Sequence, residues 1–301
     1  MTLTRTSELL AEVFPGSDVA RPRYLEWLYE ESPFGPVIET NLDDAHGRAA
    51  HYALVPLVLA RDGVDERAAL SLNTAVHQRA RGGGTFTRLA TETIDRAREM
   101  GVRSVLGVAN ANSTPGFLRR LEFELLTPLP ASVLLPTPAA SHGIRSGWAS
   151  PSTGAALDLP ADCERYFRVP ARGDVRRWTK ESLAWRLARP GGRYALHLSP
   201  DLLAVSCAAR QHGVPVAVVL KVFAPAAVED SVRRALVRGV CRFHRAPLAL
   251  HVGLNHAISF PGVPLPGRLR ASPLNLIYRS LEDPRRPAAI VDFEFLDFDA
   301  Y

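Results

Sequence analysis

The chain has 301 residues, 47% of them hydrophobic and 22% charged, and a formal net charge of +5. That balance excludes a largely disordered chain, and a length above the usual ~100–200 residues per domain predicts two domains. No uncharged apolar run approaches the ~18 residues of a membrane span, so no membrane partner is expected. The first dozen residues also carry acids where a secretory signal needs an apolar stretch.

In chain order, apolar spacing predicts helix over residues 7–30, interrupted at Pro15-Gly16 and ended by the Pro-Gly run at 33–36. Strands follow at 37–40, 51–60 and 68–76, with Pro56 suggesting a bulge or an edge position. Three glycines then lead into a helix at 85–100, closed by Gly101. A strand at 102–108, a helix at 112–121 and a strand at 124–135 complete a first domain, residues 1–135. Residues 136–160, rich in Pro, Ser, Ala and Gly, read as a linker, and 161–301 as a second domain. That second part has strands at 194–198, 202–209 and 214–223, a helix at 226–242, a strand at 247–254 and a closing strand at 289–298. Its start echoes the first: Leu183-Ala-Trp-Arg-Leu precedes Pro190-Gly-Gly and a strand, as Leu25-Glu-Trp-Leu precedes Pro33-Phe-Gly and a strand. A duplication with a diverged second copy is the reading.

The three cysteines, Cys163, Cys207 and Cys241, are far apart and suit neither a disulfide framework nor a zinc pair. They read as structural in a reducing cytoplasm, and no metal is expected. Charge is uneven: residues 1–150 hold 15 Arg and 17 acids, residues 151–301 hold 21 Arg plus Lys and 14 acids. The basic second half suits a polyanion such as nucleic acid or a CoA phosphate, and equally a solvated basic face.

The segment Leu70 to Leu89 carries the chemistry. It runs from a strand through Arg81-Gly-Gly-Gly-Thr-Phe86 into a helix. Consecutive glycines let backbone N–H groups face one hollow, and the helix start adds unpaired donors and partial positive charge, which together suit an anion. The loop lacks the Gly-Lys-Ser/Thr ending of a P-loop and follows meander strands, unlike a dinucleotide-binding fingerprint.

Here the sequence resembles the GNAT superfamily of N-acetyltransferases, whose motif runs Arg-Gly-x-Gly-x-Gly/Ala after a strand ending in Val. Val76, Arg81, Gly82, Gly84 and Leu89 fall on its positions, and Phe86 replaces the last Gly/Ala. The segment Val108 to Phe123 resembles the family's next strand and helix, but lacks its common Tyr and has Glu122 for the Gly of Gly-Phe. The resemblance implies an α/β fold of α+β type, with two GNAT-like domains, each a mixed, mostly antiparallel sheet flanked by helices, and a degenerate second copy.

It further implies acyl-CoA, in the simplest case acetyl-CoA, as co-substrate. Amides of Gly82, Gly83, Gly84, Thr85 and Phe86 would hold the pyrophosphate beside Arg81. Ala75 and Val76 would pair with the pantetheine arm, and Asn112 or Ser113 would bond to that arm or cap the helix. The implied activity is an N-acyltransferase acting on a small-molecule amine. Its rivals are an aminoacyl-tRNA-dependent transferase, with tRNA held by the basic half, and a non-catalytic CoA- or nucleotide-binding protein. His51, Asn73 and His77 are the catalytic candidates. Trp27, Tyr29 and Phe34 in the first half and Trp185, Arg186 and Tyr194 in the second are candidates for the acceptor pocket, with core packing as the competing role for the aromatics. The second half has Pro225 and acids where phosphate would need bare amides, and is expected not to bind CoA.

Overall fold

In the computed structural model, which describes residues 2–140, 142–149, 158–211, 213–266, 272–283 and 287–299, the predicted order of elements is largely met. The first part runs α1 (Thr2–Val13), α2 (Pro22–Tyr29), β1 (Ile38–Asp44), β2 (Gly47–Arg61), β3 (Val64–Val76), α3 (Thr85–Glu99), β4 (Ser104–Ala109), α4 (Thr114–Arg120) and β5 (Glu124–Pro128). Then come β6 (Ala131–Leu134), β7 (Arg145–Trp148), β8 (Asp174–Arg176), α5 (Lys180–Leu187), β9 (Ala195–Leu198), β10 (Leu203–Gln211), β11 (Val214–Phe223), α6 (Asp230–His244), β12 (Ala249–Leu254), β13 (Val263–Pro264), β14 (Asn275–Ser280) and β15 (Ile290–Glu294). The strand expected at 124–135 is split between β5 and β6 around Leu129-Pro130, where proline cannot donate to a ladder. The expected linker contains β7, while its residues 141 and 150–157 lie outside the described ones.

The chain forms two units: Met1–Pro128 with Arg189–Gly191 and Ser272–Ala288, and Leu129–Ala188 with Gly192–Ala271 and Ala289–Tyr301. In the first, strands lie in the order β1-β2-β3-β4-β14-β5, all antiparallel except β3 beside β4. β14 thus fills the place between β4 and β5, although the sequence order puts it in the second domain. In the second unit the order β9-β10-β11-β12 repeats the same turn to a parallel neighbour at β11/β12, and β6 lies between β12 and β13. Each unit therefore takes the strand beside its parallel pair from a distant stretch of chain. No local pattern announces that.

Helix α3 turns Leu89, Ala90, Ile94 and Ala97 inward at helical spacing, against Tyr52, Leu54 and Ala69 of the sheet. Helix α6 does the same with Leu236, Val240 and Cys241 over Ala217 and Val219. All three cysteines are buried and none is in a disulfide. No helix among the described residues is long and apolar enough to cross a membrane, and those residues hold no cluster of three or more metal-ligating side chains.

The expected closing strand stops at Glu294, because Glu294 and Asp297 each cap the other's backbone amide and bend Phe295–Asp297 into a 3-10 turn. β15 reaches β12 at Gly253, whose φ is +133° and where a Cβ would stand 2.3 Å from the Phe293 carbonyl oxygen. Only glycine admits that approach.

Two fully buried histidines, His51 and His197, and the half-buried His244 have their pKa values lowered by burial. Burial, aided by the Arg48 charge, pushes His51 down to about 3. Burial next to His244 takes His197 down to about 3, and burial alone takes His244 to about 4. In the unfolded chain each titrates near ~6.5. Between pH 6.5 and about 3 the unfolded state therefore binds more protons, and stability falls as the pH falls. At pH 5 the loss is about 2 kcal/mol for each of His51 and His197. Urea midpoints at pH 7 and pH 5 measure it, and equal midpoints would contradict neutral buried imidazoles.

Candidate functional site

The first unit opens a cleft where β3 and β4 part. Their parallel register runs from Ala68↔Ser104 to Ser71↔Gly107. Immediately beyond, β3 carries a bulge: Ala53 faces Leu72 and His51 faces Ala75, so Asn73 and Thr74 share Tyr52 as their partner. Asn73 sits at φ +51°, in the left-handed region that asparagine tolerates better than most side chains. The bulge turns the end of β3 away from β4, and a cavity of about 750 Å3 lies between them, lined by Leu72, Asn73, Thr74 and Val76 on one strand and Val108 on the other.

The glycine loop stands beside this cleft. Gly82, Gly83 and Gly84 have φ of +86°, +55° and +76°, and a Cβ on any of them would meet nothing within 4 Å. Gly84 is the N-cap of α3 and supplies no side-chain cap; the Thr85 amide donates back to the Gly82 carbonyl at 3.4 Å, which leaves the amides after it in the first turn without a helical acceptor. The hollow in front of them measures about 310 Å3 and is flanked by Arg81 and Arg120. Phe86, at the position where the motif has Gly or Ala, turns its ring down onto Tyr52 and Phe117, with centroids 6.1 and 5.3 Å away. Its ring thus packs on the core while Phe86 still borders the hollow. Arg79 is engaged elsewhere: its Nε donates to Asp44 at 2.8 Å and its Nη2 to the Arg48 carbonyl at 2.9 Å. Arg81 lines both the cleft and the hollow.

Asn112 and Ser113 also line the cleft. The capping role expected of them belongs to Asn110, whose Oδ1 accepts the amides of both, at 3.0 and 2.9 Å. Ala75 is buried and pairs with His51 across β2.

Two of the three catalytic candidates lie away from the cleft. His51 is fully buried between the Tyr29 hydroxyl, 2.9 Å from Nε2, and Asn41 Oδ1, 2.7 Å from Nδ1. Burial, with the Arg48 charge, lowers its pKa to about 3, which disfavours the imidazolium near neutrality. His77 caps a 3-10 turn, its Nδ1 accepting the Arg79 amide at 3.2 Å, and its Nε2 lies 3.2 Å from Glu12. Asn73 does reach the cleft.

The acceptor-pocket candidates fare similarly. Trp27 and Tyr29 are 1% exposed core residues of α2, and Phe34 is half-buried in the turn after it, its amide donating to Ser32 Oγ. In the second unit Arg186 is buried, its Nε donating to the Leu296 carbonyl and its guanidinium paired with Asp299. Tyr194 is buried too, and Trp185 is half-buried on α5. Trp27 and Tyr29 are buried because the inward face of α2 turns their large apolar area into the core. The cleft is walled instead by Val13, Phe14, Ser17 and Val19 at the α1–α2 corner and by Leu274. A half-exposed Phe14 beside Pro15-Gly16 was the sequence signal for that wall, together with the Arg119-Arg120 pair for the hollow.

The second unit has a bulge at the same point, with Val205↔Lys221 following Ser206↔Val219. There, however, the space between β11 and β12 is filled from within. The Glu294 carboxylate accepts the Val222 amide at 3.2 Å, Asn255 Nδ2 at 2.8 Å and a hydrogen bond from His251 Nε2 at 2.7 Å. Helix α6 begins with Glu229 at its N-cap and Asp230 in its first turn, two negative charges at the end where α3 follows glycines.

No protein-family model matches this sequence, and no curated protein does. Solved structures do. A GCN5-related N-acetyltransferase from Kribbella flavida superposes with a TM-score of 0.64 at 15% identity, over 93% of this chain and 69% of that one. The N-myristoyltransferase of Saccharomyces cerevisiae with bound myristoyl-CoA gives 0.59 at 12% identity, over 95% and 81%. A tandem GNAT protein from the clavulanic acid biosynthesis pathway gives 0.54 at 9% identity, over 93% and 94%. At such identities the likeness is one of fold: the chain has the GNAT fold, as its glycine loop predicted.

Proposed function

We propose that the first unit moves an acyl group from acyl-CoA, acetyl-CoA in the simplest case, to the amine of a small metabolite by direct attack. One observation carries the reading. Three consecutive left-handed glycines with open faces cap a helix beside Arg81 and Arg120, and the hollow they form adjoins the cleft between β3 and β4. A diphosphate suits the hollow through the uncapped amides that follow Thr85, the helix dipole and two guanidiniums, and an extended thiol-bearing arm suits the cleft.

In such a reaction the amine nitrogen adds to the thioester carbon, the C–N bond forms, and the C–S bond then breaks. The proton lost by nitrogen ends on the departing thiolate or in water. No protein nucleophile is required; what the chain supplies is position and a donor for the developing oxyanion. The second unit favours a backbone donor beyond the bulge, because Val222 in that place already gives its N–H to a carboxylate oxygen.

Titration calorimetry with acetyl-CoA tests the reading, followed by thiol release over an amine panel. One site per chain with amine-dependent thiol release is the expected result. Binding without thiol release on any amine would leave a binding protein, and absence of binding would remove the reading altogether.

A further inference from the structure

A chain of buried polar groups leads from the cleft into the core, and its direction can be worked out atom by atom. At its inner end His51 Nδ1 faces two acceptors, Asn41 Oδ1 at 2.7 Å and the Glu39 carboxylate at 3.5 Å. A carboxylate cannot donate, so Nδ1 carries the ring's proton and Nε2 is bare. The Tyr29 hydroxyl, 2.9 Å away, therefore donates to Nε2. Its own oxygen is left to accept Asn73 Nδ2 at 3.3 Å. Each step fixes the next, and at the outer end the Asn73 carboxamide has its NH2 turned inward. Its Oδ1 is the end left to the cleft.

The cleft itself is apolar toward the α1–α2 corner, through Val13, Phe14 and Val19. Among the described residues that line it there is no carboxylate, and its one cation is Arg81. A second positive charge on the acceptor would find no carboxylate among those residues to pair it.

Resting on the acyl-transfer reading, we infer that Asn73 Oδ1 receives the acceptor's amino group, that Tyr29 and His51 are positioning residues which lock its orientation, and that the acceptor is a monoamine with an apolar body. Asn73 Oδ1 accepts one N–H of the neutral amine and so aims the nitrogen lone pair along the cleft, where the thioester carbon lies. The left-handed turn at Asn73 places the carboxamide on the bulge, at the point where the strands part.

The experiment uses the whole chain, acetyl-CoA, and two probe amines, 2-phenylethylamine and 1,4-diaminobutane. The wild type is expected to prefer the aromatic monoamine at least about tenfold in kcat/KM. Tyr29→Phe, which removes one oxygen, is expected to raise the KM for that amine about tenfold with a smaller change in kcat. The dissociation constant for acetyl-CoA should stay within about twofold. Asn73→Gly keeps the positive φ without strain and should do the same, which covers the case in which Tyr29→Phe folds poorly. Asn73→Asp should turn the preference toward the diamine. An unchanged amine KM in both Tyr29→Phe and Asn73→Gly, or a wild-type preference for the diamine, overturns the inference. So does acetyl-CoA binding with neither amine acetylated. Loss of acetyl-CoA binding in the wild type is a different result, and removes the acyl-transfer reading beneath it.

Discussion

Gly83→Asp will weaken acetyl-CoA binding at least about 100-fold and leave the fold intact. Gly83 has φ +55°, inside the left-handed well that Asp enters at modest cost, and a Cβ there meets nothing within 4 Å. The backbone can therefore stay in place while a carboxylate enters the hollow bordered by Arg81 and Arg120. Against one phosphate charge at ~5 Å and an effective dielectric constant of ~20, that carboxylate costs about 3 kcal/mol, which is more than a hundredfold in affinity. It also competes with the phosphate for the two guanidiniums. Gly83→Asn has nearly the same shape and no charge, and is expected to lose about tenfold or less. The difference between the two should shrink as salt is raised. Calorimetry on both variants at low and high ionic strength decides the matter: equal losses would mean that the loop's shape, and no anion, is what the substitution disturbs.

What the sequence made legible was local. Three adjacent glycines between a strand and an amphipathic helix announce their geometry, because no other residue holds that backbone so cheaply, and the parallel step from β3 through α3 to β4 follows from it. The order of elements in both units was readable for the same reason. Pairing between distant stretches was not. Asn275–Ser280 shows apolar residues enough for a strand, but nothing in it says that it slots between β4 and β5, more than 140 residues earlier. Burial was misjudged where side chains are ambivalent. Trp27 and Arg186 can line a pocket or fill a core, and which they do depends on partners such as Asp299 that lie far off in sequence. His51 looked like a base because histidine titrates near neutrality, yet a fully buried ring loses that property. Asn73 was recognisable as polar within a strand, and only the bulge explains why it belongs there.

The diverged second copy depends on a charge arrangement in the place where the first is open, and Lys221→Met tests it. Lys221 is 2% exposed and gives its ammonium to Asp297 at 2.7 Å, to Asp292, and to Glu294 at 3.5 Å. Burial alone would favour the neutral amine, but the three carboxylates outweigh it and hold the group charged well above the usual lysine range. Asp292 answers in kind: burial opposes its charge, and Lys221 with His256 reverses that and keeps it ionised below the usual carboxylate range. Methionine has nearly the same length and no charge, so the substitution leaves the packing and removes the cation that all three carboxylates share. Uncompensated buried charge of this kind costs about 3–5 kcal/mol. Because Glu294 also holds the Val222 amide and Asn255, the loss should loosen the segment that fills the space between β11 and β12. A Lys221→Met, Asp292→Asn double variant removes one charge of each sign and should recover part of the deficit. Urea unfolding of the single and double variants measures both changes. A single-variant loss below about 1 kcal/mol would mean that the carboxylates find their compensation elsewhere, and that β15 is held by its backbone pairing alone.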